Sequence, residues 1–342
     1  MPVKLHPASG TMVFSPTDIG YFLEVFRLGN LGRAAQECGV SQPSISKALR
    51  RLENATGVPL FVRGFPQTHV MWHRVAQALK GDYRLVLPDL RGYGDSSHAP
   101  GLPDHSNYSK RAMAQDVVGL LDQLGVDRFF LCGHDRGGRV AHRLALDFPE
   151  RVLRLCVMDI APTLDMYART DMDFARAYYH WFHLIQPSPL PELMIAGSLR
   201  PYLHAKLGGW GSRGTSFIEP EAMAAYEQSM ERPPERAGDL LPAVHTACED
   251  YRASAGIDLQ HDRESRDQGQ KIRCDLSVLW GERGVVHRLF EPLALWQAQC
   301  AGRVSGHAVP AGHFIPEELP ALTAEHLRGF MVRDATPESE AP

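Results

Sequence analysis

Ten residues, Leu131-Cys132-Gly133-His134-Asp135-Arg136-Gly137-Gly138-Arg139-Val140, constrain this chain more than any others. They follow a β-branched and aromatic run, Val126 to Cys132, and open an apolar helical pattern at Val140, Leu144, Ala145 and Phe148. The order is strand, tight turn, helix. Gly133 and Gly137 flank Asp135 at the spacing of a nucleophile elbow, with aspartate where serine is more familiar. Larger side chains two before and two after would clash across so strained a turn. The strain lifts the central side chain off the top of the sheet, at a helix N-terminus that favours negative charge.

A carboxylate nucleophile needs no deprotonation at neutral pH. It attacks an electrophilic carbon and forms an ester that water must hydrolyse, which suits alkyl halides and epoxides better than peptides.

The 342 residues allow two domains, and 44% hydrophobic with 22% charged residues reads as globular. No apolar run approaches the roughly 18 residues of a membrane span. The first residues lack the apolar core of a signal peptide, and six scattered cysteines without a Cys-x-x-Cys pair read as reduced thiols. The expected location is cytoplasmic, with neither metal site nor membrane partner. The net charge of −4 is uneven. Residues 1–63 carry Lys4, Arg27, Arg33, Lys47, Arg50, Arg51 and Arg63 against Asp18, Glu24, Glu37 and Glu53, so the head is +3 and the remainder −7. A basic head on an acidic body suggests a surface that faces nucleic acid.

Helical patterns run from Phe14 to Leu28, with Ile19, Phe22, Leu23, Val25 and Phe26 in a stripe, and from Leu31 to Cys38. Gly39-Val40 makes a turn, and Ser41 caps a third helix with Pro43 in its first turn. Ile45, Leu49 and Leu52 fall on its inner face. Gln42, Pro43, Ser44, Ser46, Lys47 and Arg50 are the candidate DNA-contacting residues, the polar ones at base edges and the cations at phosphates. Phe22, Gly29-Asn30-Leu31, Ala34-Ala35, Ser41 to Ser46, Leu52-Glu53 and Leu60-Phe61-x-Arg63 resemble the winged helix-turn-helix domain of LysR-type transcriptional regulators, over roughly residues 13–63. The resemblance then stops, without the family's wing hairpin or dimerising linker helix. A lone helix-turn-helix makes few contacts and would bind an operator weakly.

Beyond it, strands read at Val58–Val62, Tyr83–Leu87, Leu153–Met158, Leu276–Gly281 and near Val309 alternate with helices at Val75–Leu79 and Arg111–Leu124. That implies a parallel, doubly wound α/β sheet. Asp135, Asp159 and His313 each end a strand, where such sheets place their ligands. Asp135 would attack, His313 would activate water, and Asp159 would orient the imidazole. Arg136 and Arg139, three apart on one helical turn, suit a substrate carboxylate. Residues 160–250, rich in Met, aromatics and Pro, read as a helical cap in which His180 and Trp181 offer N–H donors.

Residues 58–335 resemble the α/β-hydrolases, whose loop after this first strand supplies a backbone N–H, here that of Phe65, with Arg63 where the family usually has His. Gly64 to His69, Gly133 to Arg139, Asp159 to Thr163, Tyr179-His180-Trp181, Cys248 to Arg252 and Gly312-His313-Phe314 resemble the fluoroacetate (haloacetate) dehalogenases. The resemblance implies that Asp135 displaces halide, that Arg136 and Arg139 hold the carboxylate, that His180, Trp181 and Tyr251 hold the halide, and that no cofactor is needed. Epoxide hydrolases share the aspartate elbow but usually carry Trp at the position of Arg136. A regulator whose hydrolase body only senses a haloacid is the other alternative. A small haloacid, DNA and a second copy of the chain are the partners that these readings name.

The expected division is a truncated helix-turn-helix at 13–63, a hydrolase core at 58–160 and 252–335, a cap at 161–251 and a disordered tail at 336–342. Leu60 to Arg63 would then serve as both a wing strand and a sheet strand. The hydrolase also lacks its usual first two strands, which leaves a sheet edge uncovered.

Overall fold

The computed structural model describes residues 21, 24–25, 31–48, 58–235 and 238–331. Its centre is a parallel sheet of five strands whose spatial order follows the chain: β1 (Val58–Val62), β2 (Phe129–His134), β3 (Val152–Met158), β4 (Asp275–Gly281) and β5 (Val304–Val309). All residues of β1 and β2 are buried, as the continuous apolar runs of a two-sided parallel sheet require. Helices connect the strands and cover the sheet in pairs. Lys110–Gln123 packs on Arg136–Asp147, and His73–Leu79 packs on Pro320–Phe330.

The strand expected at Tyr83–Leu87 shrinks to one bridge, Val86 beside Leu60, on the side of β1 away from β2. Val86 N–H donates to the Pro59 carbonyl and Phe61 N–H donates to Val86, each at 3.0 Å. Prolines delete the rungs on either side. Pro59 has no N–H for the carbonyl of Arg84, and Pro88 has none for that of Phe61. The chain thus steps outward from β1 to Val86 and back across β1 to β2. This reversal is the switch point at which open α/β sheets bind ligands.

Among the described residues, the elements between β3 and β4 are all helices, from Thr163–Ala168 to Ile257–Asp267, joined by turns and loops. The expected cap boundary at 251/252 falls inside the unbroken helix Pro242–Ala255.

In the head, Leu31–Glu37 is helical, as are residues 42–48. Ala34, Ala35 and Ile45 are buried together, with Tyr21, Val25, Leu31, Cys38 and Val40 half-buried around them. Ile19, Phe22, Leu23, Phe26, Leu49, Arg50 and Leu52 lie outside the described residues, and so does the tail. Of the two roles open to Leu60 to Arg63, the structure shows the sheet strand. Val58–Val62 pairs with β2 from Val58↔Phe129 to Val62↔Gly133, inside the sheet. Five apolar residues gain more from burial on both faces than from a two-stranded surface hairpin.

Candidate active site

Asp135 follows β2 with φ 48° and ψ −119°, a conformation that ordinary side chains avoid. The flanking glycines are steric necessities. A Cβ on Gly133 would lie 2.6 Å from the Gly137 carbonyl oxygen, and one on Gly137 would overlap the backbone of Val62 and Arg63. Gly64, after β1, is a third. A Cβ there would collide with the Asp135 side chain, so only glycine lets this loop approach. The approach brings Phe65 N–H to 3.0 Å from Asp135 Oδ2. Arg136, the residue after Asp135, is the first residue of the helix that follows.

His313 completes the end of the sheet. Its Nδ1–H donates to Asp159 Oδ2 at 2.6 Å, and Gly281 N–H donates to Asp159 Oδ1 at 3.0 Å. His313 Nε2 lies 4.0 Å from Asp135 Oδ1, buried and without a hydrogen-bond partner among the described residues. Burial opposes the charged imidazole, but the bond and charge of Asp159, with Asp135 and Glu318 beyond, outweigh it and raise the His313 pKa. Burial also opposes ionisation of Asp135. The charges of His313, His134, Arg139 and Arg136 prevail and hold its carboxyl below the usual range. The surroundings therefore favour the charged form of the Asp135 carboxylate, beside an imidazole whose Nε2 has no hydrogen-bond partner among the described residues.

Both arginines are buried, and they differ in their partners. Arg136 Nε–H donates to Asp250 Oδ2 at 2.7 Å, and Nη2 reaches Asp250 Oδ1 and its carbonyl at 2.9 Å and Ser254 Oγ at 2.5 Å. Its plane lies 4.1 Å from the ring centre of Tyr251. Arg139 meets the Ala161 carbonyl at 3.2 Å, Thr163 Oγ1 at 2.9 Å and Met166 Sδ at 3.4 Å, and stacks over Trp181 at 4.6 Å. No carboxylate pairs with it among the described residues. Arg136 Nη1 and Arg139 Nε are both buried without acceptors among the described residues. Orphaned guanidinium donors at depth are costly unless a ligand satisfies them.

An aromatic wall faces the carboxylate. His180 and Trp181, on the helix Tyr179–Leu184, are buried, and Tyr251 packs edge-on to Phe65 and His180 at 5.6 Å and to Trp181 at 6.5 Å. Burial holds the His180 pKa well below 6.5, so the ring is neutral; its Nδ1 has no partner. The structure thus gathers Asp135, Arg136, Arg139, Asp159, His313, Phe65, His180, Trp181 and Tyr251 around one end of the sheet. Sequence reasoning missed Asp250 as the partner of Arg136, and Trp210, whose ring lies 4.6 Å from His180 and 5.2 Å from His313. Asp250 stood within a quoted motif, but its partner is 114 residues away. Arg63, which replaces the family's usual His, is buried, with Nε–H donating to Asp89 Oδ1 at 2.9 Å.

The residues expected to contact DNA belong to the head. Gln42, Pro43, Ser44 and Lys47 are exposed and Ser46 is half-buried, while Ile45 and Ala48 are buried. Among the described residues no group of three or more His, Cys, Asp or Glu could hold a metal, all six cysteines are free, and no helix is long and apolar enough to cross a membrane.

Comparison with known proteins finds two family models that match the chain. Residues 60–234 match the model of the alpha/beta hydrolase fold, and residues 16–69 match the bacterial regulatory helix-turn-helix of the lysR family. The chain is 43% identical to a fluoroacetate dehalogenase from Burkholderia sp, over 80% of this chain and 86% of that protein. It is 30% identical to a soluble epoxide hydrolase from Corynebacterium sp. (strain C12), over 79% and 88%. A solved alpha/beta hydrolase structure from Nostoc sp PCC 7120 is 47% identical with a TM-score of 0.76, over 81% of this chain and 91% of that one.

Proposed function

The chain belongs to the alpha/beta hydrolase fold family, and from that premise we propose that it is a hydrolytic dehalogenase of haloacetates. One observation carries the reading. Two buried guanidinium donors without acceptors, Arg136 Nη1 and Arg139 Nε, flank an ionised carboxylate. A substrate that satisfies both while offering an electrophilic carbon to Asp135 bears a carboxylate next to that carbon.

In this mechanism the two oxygens of Asp135 divide the work. Oδ2 is held by Phe65 N–H and becomes the ester carbonyl oxygen; Oδ1, on the His313 side, attacks. The new C–O bond forms as the carbon–halogen bond breaks, and halide leaves toward His180, Trp181 and Tyr251. His313 Nε2 then takes a proton from water, and the hydroxide adds to the Asp135 carbonyl. The developing oxyanion meets the N–H groups of Phe65 and Arg136. Collapse passes the imidazolium proton to the departing alkoxide oxygen and releases glycolate; the Asp135 acid so formed gives its proton to solvent and the carboxylate is restored, Asp159 having stabilised the charged imidazole meanwhile.

Halide release from fluoroacetate and chloroacetate by the full-length protein tests the reading. Asp135→Asn is expected to lower the rate by at least about 10³-fold. Folded protein that releases no halide would overturn it. The epoxide hydrolase relative favours a second reading with the same Asp135, His313 and Asp159, and diol formation from styrene oxide without halide release would select it. We propose the division into head, core (58–160 and 252–335) and cap (161–251), with DNA as the partner of Gln42, Pro43, Ser44, Ser46, Lys47 and Arg50. Salt-dependent retention on duplex DNA tests that partner.

A further inference from the structure

Asp250 explains why Arg136 offers only one edge to the site. We infer that Asp250 is a positioning residue for carboxylate recognition, and this role rests on the clamp proposed above. Its carboxylate takes Arg136 Nε–H and Nη2–H, and its backbone carbonyl takes Nη2–H again. Ser254 adds a fourth acceptor, and the Tyr251 ring supports the guanidinium plane. Every donor of the fork except Nη1 is thereby committed, and among the described residues Nη1 has no acceptor. A guanidinium has five N–H groups in a rigid plane, so fixing one edge aims the opposite one.

Asp250 is itself fixed from three sides. Lys110 Nζ bonds its Oδ1, Tyr93 O–H donates to its Oδ2 at 2.6 Å, and its side chain is fully buried. Burial alone would favour the neutral acid. The charges of Arg136 and Lys110, with their hydrogen bonds, prevail and hold the carboxyl far below the usual range. The arrangement solves a local problem. Arg136 follows the nucleophile directly, and an unrestrained guanidinium beside a carboxylate pairs with it. Asp250 draws Arg136 away, so that Asp135 stays free to attack and Nη1 stays free for the substrate. Arg139 has no equivalent carboxylate among the described residues; neutral oxygens, a thioether and Trp181 hold it.

The test separates aiming from folding with two anions. Acetate has the carboxylate without a leaving group, whereas bromide probes the halide pocket. Asp250→Asn in the full chain keeps the shape but removes the charge and one acceptor. Acetate binding by calorimetry is expected to weaken by about 10-fold, and bromide binding, read from tryptophan quenching, is expected to stay within about 2-fold. With fluoroacetate, KM is expected to rise more than kcat falls. Equal acetate affinity in wild type and variant would overturn the role, and so would a parallel loss of both anions. Wild type that binds no acetate would overturn it as well. Wild type that binds acetate but releases no halide would sink the dehalogenase reading and leave the positioning role standing. If Asp250→Asn does not fold, Ser254→Ala removes one bond to Nη2 and is read in the same way. A loss of about 3-fold in acetate affinity with bromide unchanged is expected; no change overturns the proposal.

Discussion

The head and the body of this chain both match family models, and the two matches overlap over residues 60–69. They claim those residues on different grounds. The head's case is local: a capped turn, small residues at Ala34 and Ala35, and a polar outer face, with a described core of Ala34, Ala35 and Ile45. The body's case is long-range. Val58–Val62 lies in register with β2, Gly64 makes room for Asp135, and Phe65 N–H holds that carboxylate. Where one segment suits two folds, the fold that buries it on both faces and uses its turn to hold a charged group takes it.

The largest effect that tests this allocation is expected from Leu60→Ala. Leu60 is wholly buried, faces Leu131 across β1 and β2, and carries the Val86 bridge on its other side. Truncation should cost about 2–5 kcal/mol of body stability, read as a drop in the main thermal transition and in halide release. The described head helices should keep their signals. Loss of the head's signals alone would return the segment to the head.

The body was legible where constraint is local. The elbow needs glycines two residues either side of its centre, and the strands announce themselves as apolar runs between turns. The shrinkage of the strand expected at Tyr83–Leu87 was not legible, because the register with β1 decides which rungs Pro59 and Pro88 remove. The setting of Arg136 was not legible. Two cations on one helical turn read as a matched pair, but Asp250 and Ser254 come from a helix more than a hundred residues on, and they leave one cation paired and the other not. Arg63 looked like a lost histidine until Asp89 was seen beside it.

A second contrast lies in buried charge. Glu317 sits inside the body, where Tyr226 O–H donates to it at 2.8 Å and the Gln67 amide bonds its other oxygen. Burial pushes its carboxyl up to about 7, against the opposing pull of those bonds and of His73 and Arg74. The folded state thus holds the proton more tightly than the unfolded chain, whose ordinary value is 4.5. This contribution is fully present below pH 4.5 and is lost as pH rises through about 7, roughly 3 kcal/mol in all. Glu317→Gln, neutral throughout, should flatten the body's melting temperature across that window. An unchanged slope would show that Glu317 ionises freely when folded.

The smallest effect bears on whether the two regions fold as one. Ser41 begins the helical residues 42–48, and Ser44 N–H donates to its Oγ at 3.3 Å. Its carbonyl accepts the first helical bond, from Ile45 N–H. Ser41→Ala removes the cap and should cost the head about 1 kcal/mol, read by amide exchange across residues 42–48. Halide release and the body's melting temperature should not move, because Ser41 makes none of the bonds that hold Asp135, His313 or Arg136. A fall in the body's stability equal to the fall in the head's would mean that one cooperative unit spans both regions. The overlap at residues 60–69 would then be a shared hinge of folding and no longer a boundary between two claims.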